Sequence, residues 1–455
     1  MKLIKWVVCV VIVVWHGNSP VAQAGFKKVK STTLFNGETI QEYLFDNGLK
    51  LLVVPRHQAA IATYQMWFNV GSIHEKLDPK LKKTGLAHLF EHMMFRGTEK
   101  HPDGKFDELV ARMGGEGQNA TTSYYRTNYF ESVPASQLGK LLELESDRMR
   151  NLKLDAGLIE KEKGAVVGEY RRHMDNPTGV AFDELMRLSY EKLPYRYTIL
   201  GTEAEIKGFS LEEAKYFYQT FYAPNNATII IVGDVFVDKL LELVDDHYGK
   251  MKRQEIPKTV MPEEPHQKKE RRLSIDHPQA TSETLLIGYK IPDVNSPTQL
   301  PLSLLSAHLS TGMESRLRKL LVDSGVAVNV AASVDNQPDV FEIFVQLVEG
   351  KKSEQALAMI DRELKNIAMK GITDPDLLRA LNQEKLSTYG GIVKNETLAR
   401  FMGEYLMLSG NYLRGFEILE GYPKVSPKDV QAVAKEFLTI QNRTVIMIRP
   451  GKKHG

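Results

Sequence analysis

The stretch Thr84-Gly-Leu-Ala-His-Leu-Phe-Glu-His-Met-Met-Phe95 brings two imidazoles and a carboxylate onto one short segment. His88 and His92 are four residues apart, so on an α-helix both rings leave the same face, one turn from each other. At that spacing two neutral imidazole nitrogens can reach one Zn²⁺ at about 2.0–2.1 Å. Glu91 flanks the same face, close enough to handle a proton on metal-bound water. The plainer alternative is a helix with two solvated or core histidines. A third ligand separates the readings, because catalytic zinc sites commonly take three protein ligands and leave one position open.

The best candidate lies in Leu158-Ile-Glu-Lys-Glu-Lys-Gly-Ala-Val-Val-Gly-Glu-Tyr-Arg-Arg172. Glu162 and Glu169 are seven residues apart, two helical turns, and share a face. Ile159, Val166 and Val167 could anchor that helix, with Lys161, Lys163, Arg171 and Arg172 in solvent. Alone this is an ordinary charged helix, and its weight comes from the pairing with the first motif.

The order His-x-x-Glu-His, then 76 intervening residues, then Glu169 with Glu162 before it, resembles the pitrilysin family of metallopeptidases. That family includes insulin-degrading enzyme, pitrilysin and mitochondrial processing peptidase. Gly114-Gly-Glu-Gly-Gln-Asn-Ala-Thr-Thr-Ser123, Thr127-Asn-Tyr-Phe130 and Pro194-Tyr-Arg-Tyr-Thr-Ile-Leu-Gly-Thr202 fall in the family's order. The resemblance implies one Zn²⁺ per chain, held by His88, His92 and Glu169, with Glu91 as general base and Glu162 as an assisting carboxylate. It implies a zinc-dependent endopeptidase acting on peptides or unfolded segments. Asn119 and Ala120, by the same resemblance, belong to a strand edge that an extended peptide could join; the plainer reading there is a polar strand turn.

One departure stands out. Active members of the family usually carry an Arg and, seven residues later, a Tyr in the second half of the chain. Here those positions fall on about Val322 and Val328, and no Tyr occurs between Tyr289 and Tyr389. The expected arrangement is therefore a heterodimer, in preference to a homodimer, in which a related zinc-less subunit supplies the pair. The competing class is a non-catalytic, zinc-stabilised peptide-binding or scaffold subunit of the same fold.

The first half reads as strands at 49–54 and 63–70, a helix near 106–113, and one strand or a hairpin from 119 to 130. Helices follow at 137–150, 158–172 and 181–193. Strands mixed with long helix pairs give an α+β fold, not a doubly wound dinucleotide fold, and no phosphate-cradling glycine loop follows a strand. An ungapped offset of 216 aligns the stretch from Phe209 to Asp234 with that from Val425 to Pro450, keeping Ser210/Ser426, Phe221/Phe437, Asn226/Asn442, Thr228/Thr444 and Ile230/Ile446 identical. This duplication agrees with the family's two homologous α/β sandwich halves, antiparallel-rich sheets covered by helices and closing as a clam-like shell. The same offset carries His88, Glu91 and His92 onto Leu304, Ala307 and His308, so the second half lacks the metal set.

Residues 1–24 read as a secretory signal: Lys2 and Lys5, an apolar run from Trp6 to Trp15, then Ala22-Gln-Ala24. Ten apolar residues are too few to span a bilayer, so no stable membrane anchor is expected. Cys9, the sole cysteine, leaves with that segment, and a disulfide-free exported enzyme suits a bacterial periplasm. Without Lys2 and Lys5 the 59 basic and 57 acidic residues balance, which argues against nucleic acid as a partner. The proline-bearing, charged run 250–273 marks a connector between a catalytic domain, 25–249, and a non-catalytic one, 274–455.

Overall fold

Lys50-Leu-Leu-Val-Val-Pro55 buries four successive apolar side chains, although alternate ones point to opposite faces. A strand of that kind must be covered on both sides. The computed structural model, which describes residues 25–451, supplies both covers, and one of them comes from the other half of the chain.

The first half contains β1 (Phe26–Thr33), β2 (Thr39–Phe45), β3 (Lys50–Pro55), β4 (Ile61–Phe68), β5 (Glu116–Thr122), β6 (Thr127–Pro134) and β7 (Ala227–Gly233). They form one sheet in the order β1-β2-β3-β7-β4-β6-β5, antiparallel except for β3 beside β7. Its helices are α1 (Ser72–Leu77), α2 (Leu86–Met93), α3 (Lys105–Arg112), α4 (Leu138–Asn151), α5 (Ala156–Met174), α6 (Pro177–Ser189), α7 (Glu203–Lys207), α8 (Leu211–Phe221) and α9 (Val237–Val244).

The second half contains β8 (Arg271–His277), β9 (Thr284–Lys290), β10 (Ala327–Asn336), β11 (Asp339–Leu347) and β12 (Arg443–Pro450), in the order β10-β11-β9-β12-β8. Its helices are α10 (Gln299–Ser310), α11 (Ser353–Lys370), α12 (Asp374–Ile392), α13 (Asn395–Ser409), α14 (Arg414–Gly421) and α15 (Pro427–Phe437). This strand order repeats β5-β6-β4-β7-β3 position for position, and the single parallel pair, β8 with β12, matches β3 with β7. The fold is thus α+β, a duplicated sandwich whose two units form a clam-like shell.

The residues kept identical by the offset of 216 do the same work in both copies. Ser210 with Glu213, and Ser426 with Asp429, close capping boxes at the starts of α8 and α15. Asn226 donates to the Phe221 carbonyl at 2.9 Å, and Asn442 to the Phe437 carbonyl at 2.8 Å.

Each sheet has one face covered by its own helices and the other by a helix from the opposite half. Leu52, Val54, Trp67, Ile230 and Val232 pack against Leu398, Ala399 and Met402 of α13. Leu286, Val340, Ile446 and Ile448 pack against Ala181, Leu185 and Met186 of α6. Gly403 permits the first contact, since a Cβ there would come within 2.1 Å of the Trp67 ring. Arg56 fastens the same seam by donating to the carbonyls of Val393 (2.7 Å) and Ile392 (3.1 Å) while paired to Glu38.

Several expectations need adjustment. Of the two readings of 119–130, the hairpin holds, as β5 and β6. Helix α6 starts at Pro177 rather than 181, because Asn176 caps it and Pro177 occupies the first turn at no hydrogen-bond cost. The connector is not a bare spacer. Glu264 accepts the N–H groups of Glu191, Lys192 and Leu193 at 2.9–3.1 Å, and β8 already begins at Arg271. The expected signal, residues 1–24, lies outside the described residues. Among the described residues no helix is long and apolar enough to cross a membrane.

Candidate metal centre

Helix α2 buries Leu86, Leu89, Phe90 and Met93, an i, i+3, i+4, i+7 set, in the first-half core. Of the residues between them, His88 and His92 face α5 and Glu91 meets β5. Asp155 starts α5 by accepting the Leu158 N–H at 2.9 Å, and Ile159, Val166 and Val167 anchor it as expected. Lys163 is buried rather than solvated, its ammonium donating to the Phe209 carbonyl at 3.1 Å.

Packed so, the two helices bring three donor atoms together. His92 Nε2 lies 3.4 Å, and His88 Nε2 3.7 Å, from Glu169 Oε2. Ligands at 2.0–2.1 Å around a tetrahedral Zn²⁺ stand about 3.3 Å from one another; the three donor atoms here all lie within 4.8 Å of one another, and their chemistry suits such an ion. Among the described residues this is the one group of its kind able to hold a metal. His88 Nδ1 is buried without a hydrogen-bond partner, which leaves Nε2 as the nitrogen turned to the cluster.

Burial, helped by neighbouring His92, lowers the pKa of His88 to about 4, so it is a neutral imidazole ready to bind. Burial also acts to lower His92, but the carboxylates of Glu162 and Glu169 overcome it and hold its pKa at about 9. Glu169 is itself held down, first by His92. Glu162 Oε1 is 2.9 Å from Arg96 Nε, and its other oxygen sits 3.7 Å from His92 Nδ1, on the ring edge away from Glu169.

Glu91 is desolvated, which raises its pKa, while a bond from Thr122 opposes the rise. Thr122 Oγ1 donates to Glu91 Oε2 at 2.6 Å. Thr122 belongs to β5, the outermost strand of the sheet, as do exposed Asn119 and buried Ala120; Asn119 Oδ1 accepts the Ala120 N–H at 2.8 Å. Thr122 and Arg96 were missed in the sequence. Only Thr122 left a trace, through its place in the run Gly114 to Ser123.

In the second half α10 occupies the place of α2. His308 is buried, with Nδ1 3.3 Å from Arg379 Nη2, and Leu304 and Ala307 fill the core. Val328 lies exposed on β10, the outer strand of the second sheet.

Two family models match the chain: the insulinase model of peptidase family M16 over residues 51–203, and the peptidase M16 inactive domain over residues 208–384. With the duplicated fold, they establish that the chain belongs to peptidase family M16, the zinc metallopeptidases that include the insulinases and pitrilysin. It is 29% identical over 453 residues to the zinc protease PqqE of Helicobacter pylori, covering 97% of each chain. It is 23% identical to a probable mitochondrial-processing peptidase subunit beta of Arabidopsis thaliana, over 89% of this chain and 77% of that one. The crystal structure of a protease from Helicobacter pylori superposes with a TM-score of 0.84 at 27% identity, over 92% of this chain and 99% of that one. The first half of the periplasmic protease PqqL from Escherichia coli shares the fold, with a TM-score of 0.74 at 20% identity, over 91% and 92%.

Proposed function

We propose that the chain is a zinc-dependent endopeptidase cleaving peptides or unfolded polypeptide segments. The observation that carries this reading is the meeting of His88, His92 and Glu169 within ligand distance, with the Thr122-bound carboxylate of Glu91 on the same helix face. His88, His92 and Glu169 would hold the ion, which supplies Lewis-acid polarisation of the scissile carbonyl and of water.

The remaining chemistry belongs to the chain. Thr122 occupies Glu91 Oε2, so Oε1 is the atom free to take a proton from the attacking water and return it to the departing amine. Desolvation suits Glu91 to that shuttle by bringing its pKa nearer neutrality. Glu162, gripped by Arg96, steadies the far edge of the His92 ring. An extended substrate would pair with the outer edge of β5 at Asn119 and Ala120, main-chain bonds giving affinity without demanding one sequence.

We further read the chain as the catalytic subunit of a heterodimer, with residues 25–249 catalytic, 274–455 non-catalytic and 250–273 connecting them. The Arg and Tyr would fall on about Val322 and Val328 in the second half, so a zinc-less partner would bring that pair. The signal-like residues 1–24 support export to a bacterial periplasm.

Peptide cleavage measured beside metal content tests the reading. Glu91→Gln should keep zinc and lose about 10²–10⁴-fold in turnover, and His88→Ala should lose zinc as well; full turnover in Glu91→Gln rejects the assignment. Chelation that stops cleavage, not binding alone, distinguishes a peptidase from a peptide-binding scaffold. Addition of the partner should raise the weak cleavage by this chain alone; full activity without any partner would dismiss the heterodimer.

A further inference from the structure

Helix α2 is eight residues long, too short to be stable on its own, and its N-cap is Gly85, which has no side chain to bond the free N–H groups of the first turn. The missing acceptors come from α1. Glu75 Oε2 accepts the Gly85 N–H at 2.8 Å, and Glu75 Oε1 accepts the Ala87 N–H at 2.5 Å. Ala87 directly precedes His88.

This carboxyl is fully buried, and among the described residues no Lys, Arg or His lies within ion-pair distance of it. Neighbouring Lys76 points instead to Glu205 and the Lys82 carbonyl. Burial pushes Glu75 up to about 8 against the pull of its two N–H bonds. A buried carboxyl with no cation beside it is costly where packing alone is needed. Here its partners are the amide groups and the positive end of α2.

The rest of the helix start is locked as well. Thr84 donates its N–H (3.2 Å) and hydroxyl (2.7 Å) to Glu205. Gly85 (φ +96°) and Gly201 (φ +78°) lie back to back, and a Cβ on either would come within 2.3 Å of a carbonyl oxygen of the other segment. Through these contacts the motif from Pro194 to Thr202 clamps the start of the metal helix.

We propose that Glu75 is a positioning residue that fixes the rotation of α2 about its axis and so aims His88 and His92 at Glu169. A turn of about 10° moves an atom at the helix surface by roughly 1 Å, whereas metal–ligand distances tolerate only about 0.2 Å. The proposal rests on the metal-binding reading above, and a test in the metal-free chain separates the two.

The test compares the full chain with Glu75→Gln and Glu75→Ala by zinc competition against a chelator, by the absorption spectrum with Co²⁺ alone in place of zinc, and by amide hydrogen exchange without metal. Gln retains one acceptor and the side-chain volume, so it should keep the fold, weaken zinc about ten-fold, and speed exchange in the first turn of α2 alone. Ala should weaken zinc toward about 100-fold, and both should alter the Co²⁺ spectrum. Parent-like zinc affinity and Co²⁺ spectrum in folded Glu75→Gln would overturn the proposal, whether or not Ala folds. Failure of the parent chain to bind zinc would instead remove the metal reading, and faster exchange at α2 in metal-free Glu75→Gln would still report the anchor.

Discussion

Thr122 and Glu91 meet across two elements, a hydroxyl on the outermost strand donating at 2.6 Å to a carboxylate on α2. That bond leaves one defined Glu91 oxygen for the proton transfer proposed above. Thr122→Val keeps the shape and removes the donor, so turnover should fall by about ten-fold with zinc content unchanged. Steady-state kinetics with metal analysis would decide, and unaltered turnover would show the bond to be incidental.

Glu162 touches no second carboxylate in the cluster; it stands behind His92, with Arg96 holding its other oxygen. Glu162→Gln should therefore weaken zinc by about 10–100-fold without abolishing its binding. Loss of Glu169 should be more severe, because it removes a donor atom. Titration of the metal-free variants with zinc compares the two.

Arg56 is buried and joins Glu38 of the first half to the end of α12 in the second. Arg56→Met leaves a carboxylate and two carbonyls without their donor, a loss of roughly 3 kcal/mol. Urea unfolding followed by fluorescence should show one transition, shifted as a whole. Two separate transitions would mean that the halves fold independently.

Glu342 lies buried on β11 among side chains that meet α6, and burial, with Asp335 adding to it, raises its carboxyl from 4.5 to about 8. A carboxyl with a higher pKa when folded takes up a proton on folding. The stability it contributes is full below about pH 4.5 and is lost as the pH rises through 8. Glu342→Gln should thus become stable relative to the parent as pH climbs through that window. Parallel melting curves from acid to about pH 8 would contradict this.

Helical spacing is a local property: residues four or seven apart share a face wherever the helix goes, so His88 could be paired with His92, and Glu162 with Glu169, without coordinates, whereas joining the two pairs rested on the family resemblance. Strand β3 showed itself by an unbroken apolar run. Thr122, Arg96 and Glu75 were not legible, because each acts across a packing contact that no spacing rule encodes. The start of α6 was misread although Asn176-Pro177 marked it, since hydrophobic periodicity becomes regular only from Ala181. The connector misled for a related reason. Charge and proline describe a segment without regular structure, yet they do not say whether a residue such as Glu264 finds backbone donors to bind.

Because α6 and α13 each lie on the opposite sheet, severing the polypeptide at the connector would strip a cover from both fragments. Either piece, made separately, would present Trp67 or Ile446 and their neighbours to water and should aggregate. Made together, the two should reassemble into the intact molecule without any covalent join.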